Sequence, residues 1–519
     1  EIYAGVGTKV FKYNNTTDSW GASLVTLNGT PTDSATLRLA GTVYLFVAFA
    51  TGYAYTSDGT TWTQKTATVK FVWPWDDTVY GIDNNGLLKF ATDITSGAAG
   101  AWTNDAQLPL PSGYVTDLLE LRNAAGTLVL HALTKVGLYA HVAASADFVS
   151  TELASPVHPY FGRGSVRWQD AGYITTGAGV TKWQNGSNNA VASLFGPDRN
   201  HGLPSDKRGV IRQLIGTPNE LLALMDSTTA PTSTLDTYSS RTANEGGHRS
   251  AIILADSGYS PVLAASPGGA WAVKWLGAST GQAITAGQAS SAYDKFRLWW
   301  GIGQRVYFMP LSVDIDNPEE VTDYEFAASC EHITAIYDAD DITAAKLALS
   351  LVIEAHNLTA TEALAVYYDV NESESWTLLT TLTTNGKHEI LFPSGSAPEG
   401  LAFNSVQFKL EFTRGSTVTL SPHMHRMEFT FRRKLTPKWG WQVTVLLLDP
   451  AGQSTYNGKT PAQLYSALKT MVEQDELAAF TYRDTEPEET FYVDVLQMAG
   501  FEFGGNDWRG EFNLLLAAP

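Results

Sequence analysis

The densest polar stretch of the chain runs from Gly196 to Gly209 and holds Asp198, Arg199, His201, Asp206 and Arg208. A histidine between carboxylates suits general acid–base work. Asp–Arg pairs equally well order a surface loop, so the stretch reads as a polar loop of unknown role. His423 and His425 stand two apart on an expected strand, so both face one way. Such a pair can begin a metal site, but the sequence identifies no third ligand. Cys330 is the only cysteine, which rules out an intrachain disulfide, and no motif around it marks a nucleophile. Trp73 and Trp75, and Trp299 and Trp300, offer flat apolar faces that stack on sugars or bury at interfaces, with burial in a core as the competing reading. None of these groups completes a catalytic set. The expectation is a protein that is not an enzyme and needs no metal and no cofactor.

The elements that must position these residues are short. From residue 1 to about 315 the pattern is β-runs separated by Gly, Asn, Asp, Ser and Thr turns. Val43–Ala50, Gly52–Thr56, Thr78–Asp83, Leu128–Thr134, Gly137–His141, Gly172–Thr176, Leu221–Met225, Ala251–Leu254 and Arg305–Met309 are such runs. Asp58-Gly59, Asn84-Asn85-Gly86 and Asn185-Gly186 fall between them and favour tight hairpins, because these residues tolerate positive φ. The runs recur in a loose unit of about 40–50 residues, the period of a propeller blade. Residues 1–315 therefore read as a β-propeller of six or seven blades, with two β-sandwiches in series as the rival. The opening stretch looks like part of a blade that closes the ring on strands near Phe296–Pro310.

Residues 316–341 are acid-rich and read as a connector. Residues 342–435 alternate cleanly: Leu347, Leu349, Leu351 and Ile353 share one face, as do Val406, Phe408, Leu410 and Phe412, then Met427, Phe429 and Phe431. That is a β-sandwich. Residues 436–519 read as a small β-α-β-β-β assembly domain. Its helix opens at Thr460-Pro461-Ala462-Gln463, a capping box with proline at the first helical position, followed by Leu464, Leu468 and Met471. So small a sheet cannot shield both of its faces, which leaves one for a partner.

Composition bounds the function classes. The 519 residues carry 34 Lys and Arg against 53 Asp and Glu, a formal charge of −19. That field argues against nucleic acid and against anionic membrane surfaces as partners. Arg432, Arg433 and Lys434 form a local basic patch, read as a solvated strand end. No apolar run approaches the roughly 18 residues of a membrane span. The 59 aromatic residues (15 Trp, 22 Tyr and 22 Phe) require large cores.

Two resemblances follow. Ser57, Asp58, Gly59, Thr61 and Trp62, after Thr56, resemble a shortened Asp-box of sialidase-type propellers, a structural turn in that family. A sialidase also needs an arginine cluster, a Tyr–Glu pair and an acidic Asp. Arg163, Arg167, Arg199, Arg212, Arg241, Arg249 and Arg297 are present, but no family motif surrounds them. The second half resembles bacteriophage tail-associated proteins, through AKLALSLVIEAHNLTATEALAVYYDVNESESWTLLTTL, SPHMHRMEFTFRRKLTPKWGWQVTVLL, GKTPAQLYSALKTMVEQ and the ending RGEFNLLLAAP; the loop GLPSDKRGVIRQLI adds to it. The resemblance implies a virion protein of the distal tail, assembled in the host cytoplasm. Its partners would be other tail proteins and copies of itself, and its propeller would meet a host-surface glycan or protein. The alternatives are a secreted or surface glycan-binding or glycan-cleaving propeller and a bacterial-surface adhesin.

Overall fold

The computed structural model describes the chain except residues 76, 84–87, 105–114, 124, 143–146, 155–160, 178, 186–189, 198–208, 227–260, 266–270, 278–280, 314–317, 322–323, 393–399, 434–438, 448–458, 474–477, 483–488, 501–509 and 519. The expected strand 251–254 and the turn 84–86 lie outside the described residues. The protein is mainly β. It divides into two compact units, Glu1–Ser329 with Arg414–Ser421, and Cys330–Thr413 with Pro422–Pro519.

The first unit is a β-propeller. Seven antiparallel sheets follow one another among its described residues: three strands in 3–26, four each in 31–65, 71–104, 115–154, 166–196 and 210–276, and three in 284–310. They are numbered here as blades one to seven. Successive blades share apolar cores, because each sheet is apolar on both faces and must cover both. Val10 meets Val47 and Phe49, and Leu37 and Phe46 meet Val72 and Val79. Ile82 meets Leu118 and Phe148, and Leu119 and Leu133 meet Ile174 and Trp183. Trp168 and Tyr173 meet Leu214 and Leu221, and Leu222 and Leu224 meet Leu298 and Trp300.

Blade seven then returns to blade one. The Trp299 ring lies 4.9 Å from Tyr13 and 6.1 Å from Trp20, and Arg297 donates to the Tyr13 hydroxyl at 3.2 Å. The ring thus closes through the opening stretch and the strand after Phe296, as the sequence led one to expect. Tyr13 in turn donates to Asp18, and the buried Arg297 guanidinium lies 4.0 Å from the Phe308 ring centre. Tyr13→Phe removes the hydroxyl that links the two. It is expected to lower propeller stability by about 1–2 kcal/mol in denaturant unfolding.

In blades two to seven the first strand is innermost. These strands are Pro31–Leu39, Phe71–Trp75, Val115–Arg122, Val166–Trp168, Val210–Gly216 and Ile284–Ser290. Each of the first five approaches its counterpart in the next blade, where the blades converge.

The second unit holds a two-sheet sandwich. Ser329–Ile333, Val406–Thr413, Ala363–Val370 and Thr377–Leu382 form one sheet. Lys346–His356 forms the other with Gly386–Leu391, Leu401–Phe403 and His423–Arg433. Two expectations need correction. The stretch 316–341 is not connector throughout, since Ser329–Ile333 joins the sandwich and Tyr337 exchanges backbone hydrogen bonds with Val406. Leu347 and Leu349 do not share the face of Leu351 and Ile353. The pairing with 423–433 slips between Ala348 and Ser350, and this bulge swaps the faces, so Ala348, Leu351, Ile353 and Ala355 are the buried set.

The C-terminal sheet has the order Trp439–Leu447, Gly510–Ala518, Glu489–Gly500, Ala478–Tyr482. The helix Pro461–Glu473 covers one face. Its capping box forms reciprocally: Gln463 N–H donates to Thr460 Oγ1 at 3.3 Å, and Thr460 N–H to Gln463 Oε1 at 3.0 Å. Leu468 and Val472 pack on Val493, Val495, Leu514 and Leu516. Met471, expected inward, is exposed, because the inward position one turn after Leu468 falls to Val472.

Candidate functional site

The most distinctive chemistry lies where the inner strands begin. In blade two the inner strand opens Pro31-Thr32-Asp33-Ser34, and in blade four Val115-Thr116-Asp117-Leu118. Both strands are bulged at the threonine. The bulge turns the following aspartate towards the next blade. Thr32 Oγ1 donates to the Lys70 carbonyl at 2.8 Å, and Asp33 Oδ2 accepts from Val72 N–H at 2.8 Å. Thr116 Oγ1 donates to the Phe161 carbonyl at 2.7 Å, and Asp117 Oδ2 accepts from Gly164 N–H at 2.7 Å. Each Thr-Asp pair thus grips the backbone just ahead of the neighbouring inner strand. Gln213, at the same bulge of blade six, accepts from Gly287 N–H of blade seven at 2.9 Å.

The other oxygen of each aspartate also takes a backbone N–H, from Ser34 and from Leu118. Burial outweighs these bonds. It pushes Asp33 up to about 7, with the Asp117 charge adding to the rise. It pushes Asp117 up to about 6, against the pull of its N–H donors and of Arg163.

The gripped segments carry cations. Lys70 immediately precedes the inner strand of blade three, Arg163 lies shortly before that of blade five, and Lys135 sits in the turn of blade four between Thr134 and Gly137. Thr134 pairs with Val115, so this turn lies at the same end of the ring. Lys70 Nζ is 5.5 Å and Arg163 Cζ 5.7 Å from the centre of the Phe71 ring. Burial first, then the charges of Arg163 and Lys135, hold Lys70 below the ordinary lysine range. All three cations and Phe71 are half-buried. The arrangement is a cation–aromatic cluster beside two carboxyls whose acidity burial weakens.

Of the residues singled out from sequence, Arg163 belongs to this cluster, and the other described ones fall elsewhere. Asp58 Oδ1 accepts from Thr60 N–H at 2.8 Å and Thr61 N–H at 2.6 Å, while Thr56 Oγ1 accepts from Gly59 N–H at 3.0 Å. These donors hold the Asp58 carboxyl well below its usual range. Gly59 needs its positive φ of 72° for the turn, Ser57 is exposed, and Trp62 packs on the core between blades one and two. Trp299 and Trp300 are no surface platform. They are 7% and 2% exposed, because the alternation of their strand points one at each neighbouring blade. Trp73 is half-buried between blades, and Trp75 packs on Tyr80 and His141. Asp198, Arg199, His201, Asp206 and Arg208 lie outside the described residues, as do Arg199's fellow candidates Arg241 and Arg249. Arg212 pairs with buried Asp226 at 3.0 Å, and Arg297 serves ring closure.

His356 joins His423 and His425, with ring centres 4.7–6.0 Å apart. Among the described residues, though, no group of three His, Cys, Asp or Glu has the geometry to hold a metal ion. No described helix is long and apolar enough to cross a membrane.

Neither a family model nor a curated protein matches the chain. Solved structures do resemble it. One is a chain of the mitotic checkpoint complex, 10% identical, covering 60% of this chain and 87% of that one, with a TM-score of 0.38. Another is YCF48 from Cyanidioschyzon merolae, 10% identical over 59% of this chain and 89% of that one, TM-score 0.36. A third is Chaetomium thermophilum Sqt1 bound to the N-terminus of ribosomal protein L10, 9% identical over 58% and 89%, TM-score 0.35. Likenesses this distant say nothing of what the chain binds.

The cluster was missed in sequence because its members lie in five separate segments. One signal was available: the repeated Thr-Asp at the second and third positions of two inner strands.

Proposed function

We propose that this protein is a structural, non-enzymatic component of a bacteriophage tail, with the C-terminal domain docked on neighbouring tail proteins and the propeller displayed to the host surface. The observation that carries the reading is the one-sided C-terminal sheet. Its helix covers the face of Val493, Val495, Leu514 and Leu516. Leu515 alternates with Leu514 and Leu516 and so points the other way, 44% exposed, and Leu496, at the bulge of the adjacent strand, is 54% exposed. Large apolar side chains on an uncovered sheet face mark a surface that another protein covers. The tail resemblance of the second half supplies the kind of partner.

Immunogold labelling of particles from the source lysate tests the reading, with label expected at tail tips. Dispersed monomers, or hydrolysis of a glycan panel that is lost when propeller carboxylates are replaced, would refute it. The double variant Leu496→Asp, Leu515→Asp is expected to stay folded and lose most of its incorporation into particles, measured by co-sedimentation.

A further inference from the structure

We propose that the sandwich strand His423–Arg433 pairs edge to edge with the same strand of a second copy of this chain, antiparallel about Thr430, so that two sandwiches share one continuous sheet. The inference concerns the sandwich alone and does not depend on the tail reading.

Lys346–His356 pairs with His423–Arg433 on one side and with Gly386–Leu391 and Leu401–Phe403 on the other. Among the described residues, no strand pairs with the outer edge of His423–Arg433. Edge strands are ordinarily kept from pairing by short length, by proline, by lysine or by a bulge. This one has 11 residues and neither proline nor lysine. Its bulge falls at His425, near its start, and leaves 426–433 regular. The backbone groups along such an edge are left to water until a second strand arrives.

The side chains of the regular part are self-complementary. In a twofold interface each pair of residues occurs twice, with the roles exchanged. With Thr430 facing Thr430 of the second copy, Glu428 faces Arg432 and Phe429 faces Phe431. Opposite charges, paired aromatics and paired threonines are all favourable across strands. Arg432 is exposed and, among the described residues, has no carboxylate partner in its own chain. Glu428 Oε2 accepts from Arg426 Nη2 at 2.7 Å, which leaves Oε1 for the second copy's Arg432. Phe429 packs on the sandwich core, while Phe431 at its rim is 38% exposed. A second strand would cover it. Neighbouring registers bring like charges together. A slip of two residues sets Arg426 against Arg432, and a slip of four sets Glu428 against Glu428.

The test is sedimentation velocity of the full chain from about 1 to about 100 μM, with a monomer–dimer equilibrium expected in that range. Glu428→Arg leaves an arginine facing Arg432, and Arg432→Glu leaves a glutamate facing Glu428. Each single variant is expected to dimerise about tenfold more weakly, because the like-charge contact occurs twice in the dimer. An equimolar mixture of the two variants is expected to recover wild-type dimerisation, since each chain then offers the charge that the other lacks. A role for either residue within its own chain would give no such recovery. Thr430→Asp, which sets two carboxylates on the axis, serves should either reversal fail to fold, and a similar loss is expected there. Wild type that stays monomeric up to about 100 μM overturns the proposal. So do single variants that dimerise as wild type, and so does a mixture that dimerises no better than its two components.

Discussion

Lys346→Met is expected to destabilise the sandwich by about 2–4 kcal/mol. Lys346 is 2% exposed, yet its ammonium has no carboxylate in direct contact among its hydrogen-bond partners. It donates instead to three backbone carbonyls: Asp341, Ala344 at 3.0 Å and Asn404 at 2.9 Å. The Phe403 ring lies 5.9 Å away. The ammonium thus ties the turn that leads into strand 346–356 to the turn after strand 401–403. Methionine matches the stem in length but donates nothing, so three carbonyls lose their partner at once. The recovered cost of desolvating the ammonium offsets part of that loss. It does not offset all of it, because each carbonyl left unpaired costs about 1 kcal/mol or more. Hydrogen exchange of amides in 346–356 reads the effect locally, as faster exchange in the variant with blades two to six unchanged. Unchanged protection in the strand would show that the two turns hold without the lysine.

Much of the architecture was legible in sequence, and what was hidden has physical causes. Strands such as Leu128–Thr134 and Gly52–Thr56 fall where apolar runs and turn residues put them, because alternation and turn chemistry are local. The capping box at Thr460 is a four-residue signal, and it formed as read. Faces failed wherever a bulge intervened. One extra residue near Leu349 reverses every side chain beyond it, and pattern counting assumes an unbroken period. The aromatic pairs failed for a related reason. Trp299 and Trp300 look like a platform in a linear chain, but a blade buries both faces of its strand. The candidate site was the least legible part. Its residues come from blades two to five, and nothing in a single segment shows that Lys70 and Arg163 converge on one phenylalanine. The Thr-Asp repeat at residues 32–33 and 116–117 was the trace available, and its meaning depends on the blade that each pair faces.

That repeat leads to an expected pH dependence. Relative to a variant lacking both carboxyls, Asp33→Asn with Asp117→Asn, the wild-type propeller should gain stability as pH falls from 8 to 5. In the unfolded chain the aspartates titrate near 3.8, and in the fold they rise to about 7 and about 6. Between these values the folded state holds protons that the unfolded state has released, so stability falls as pH rises. The loss is complete above about 7 for Asp33 and above about 6 for Asp117. The sign is opposite to that of a carboxylate paired with a cation, because burial is the leading cause here. Both residues are only half-buried as a whole, so water screens part of the effect. A difference of about 1–2 kcal/mol between pH 8 and pH 5 is expected for the pair. The asparagine amide places an N–H group against a backbone donor, so the variant is less stable at every pH. The slopes, not the absolute values, therefore carry the information, and denaturant unfolding of both proteins at pH 8, 6.5 and 5 measures them. Parallel curves would mean that the two carboxyls are ionised in the fold, and that a charge, not a neutral acid, anchors the segments bearing Lys70 and Arg163. A wild-type advantage that grows as pH falls would mean that the carboxyls take up protons in the fold at pH values where the unfolded chain has released them.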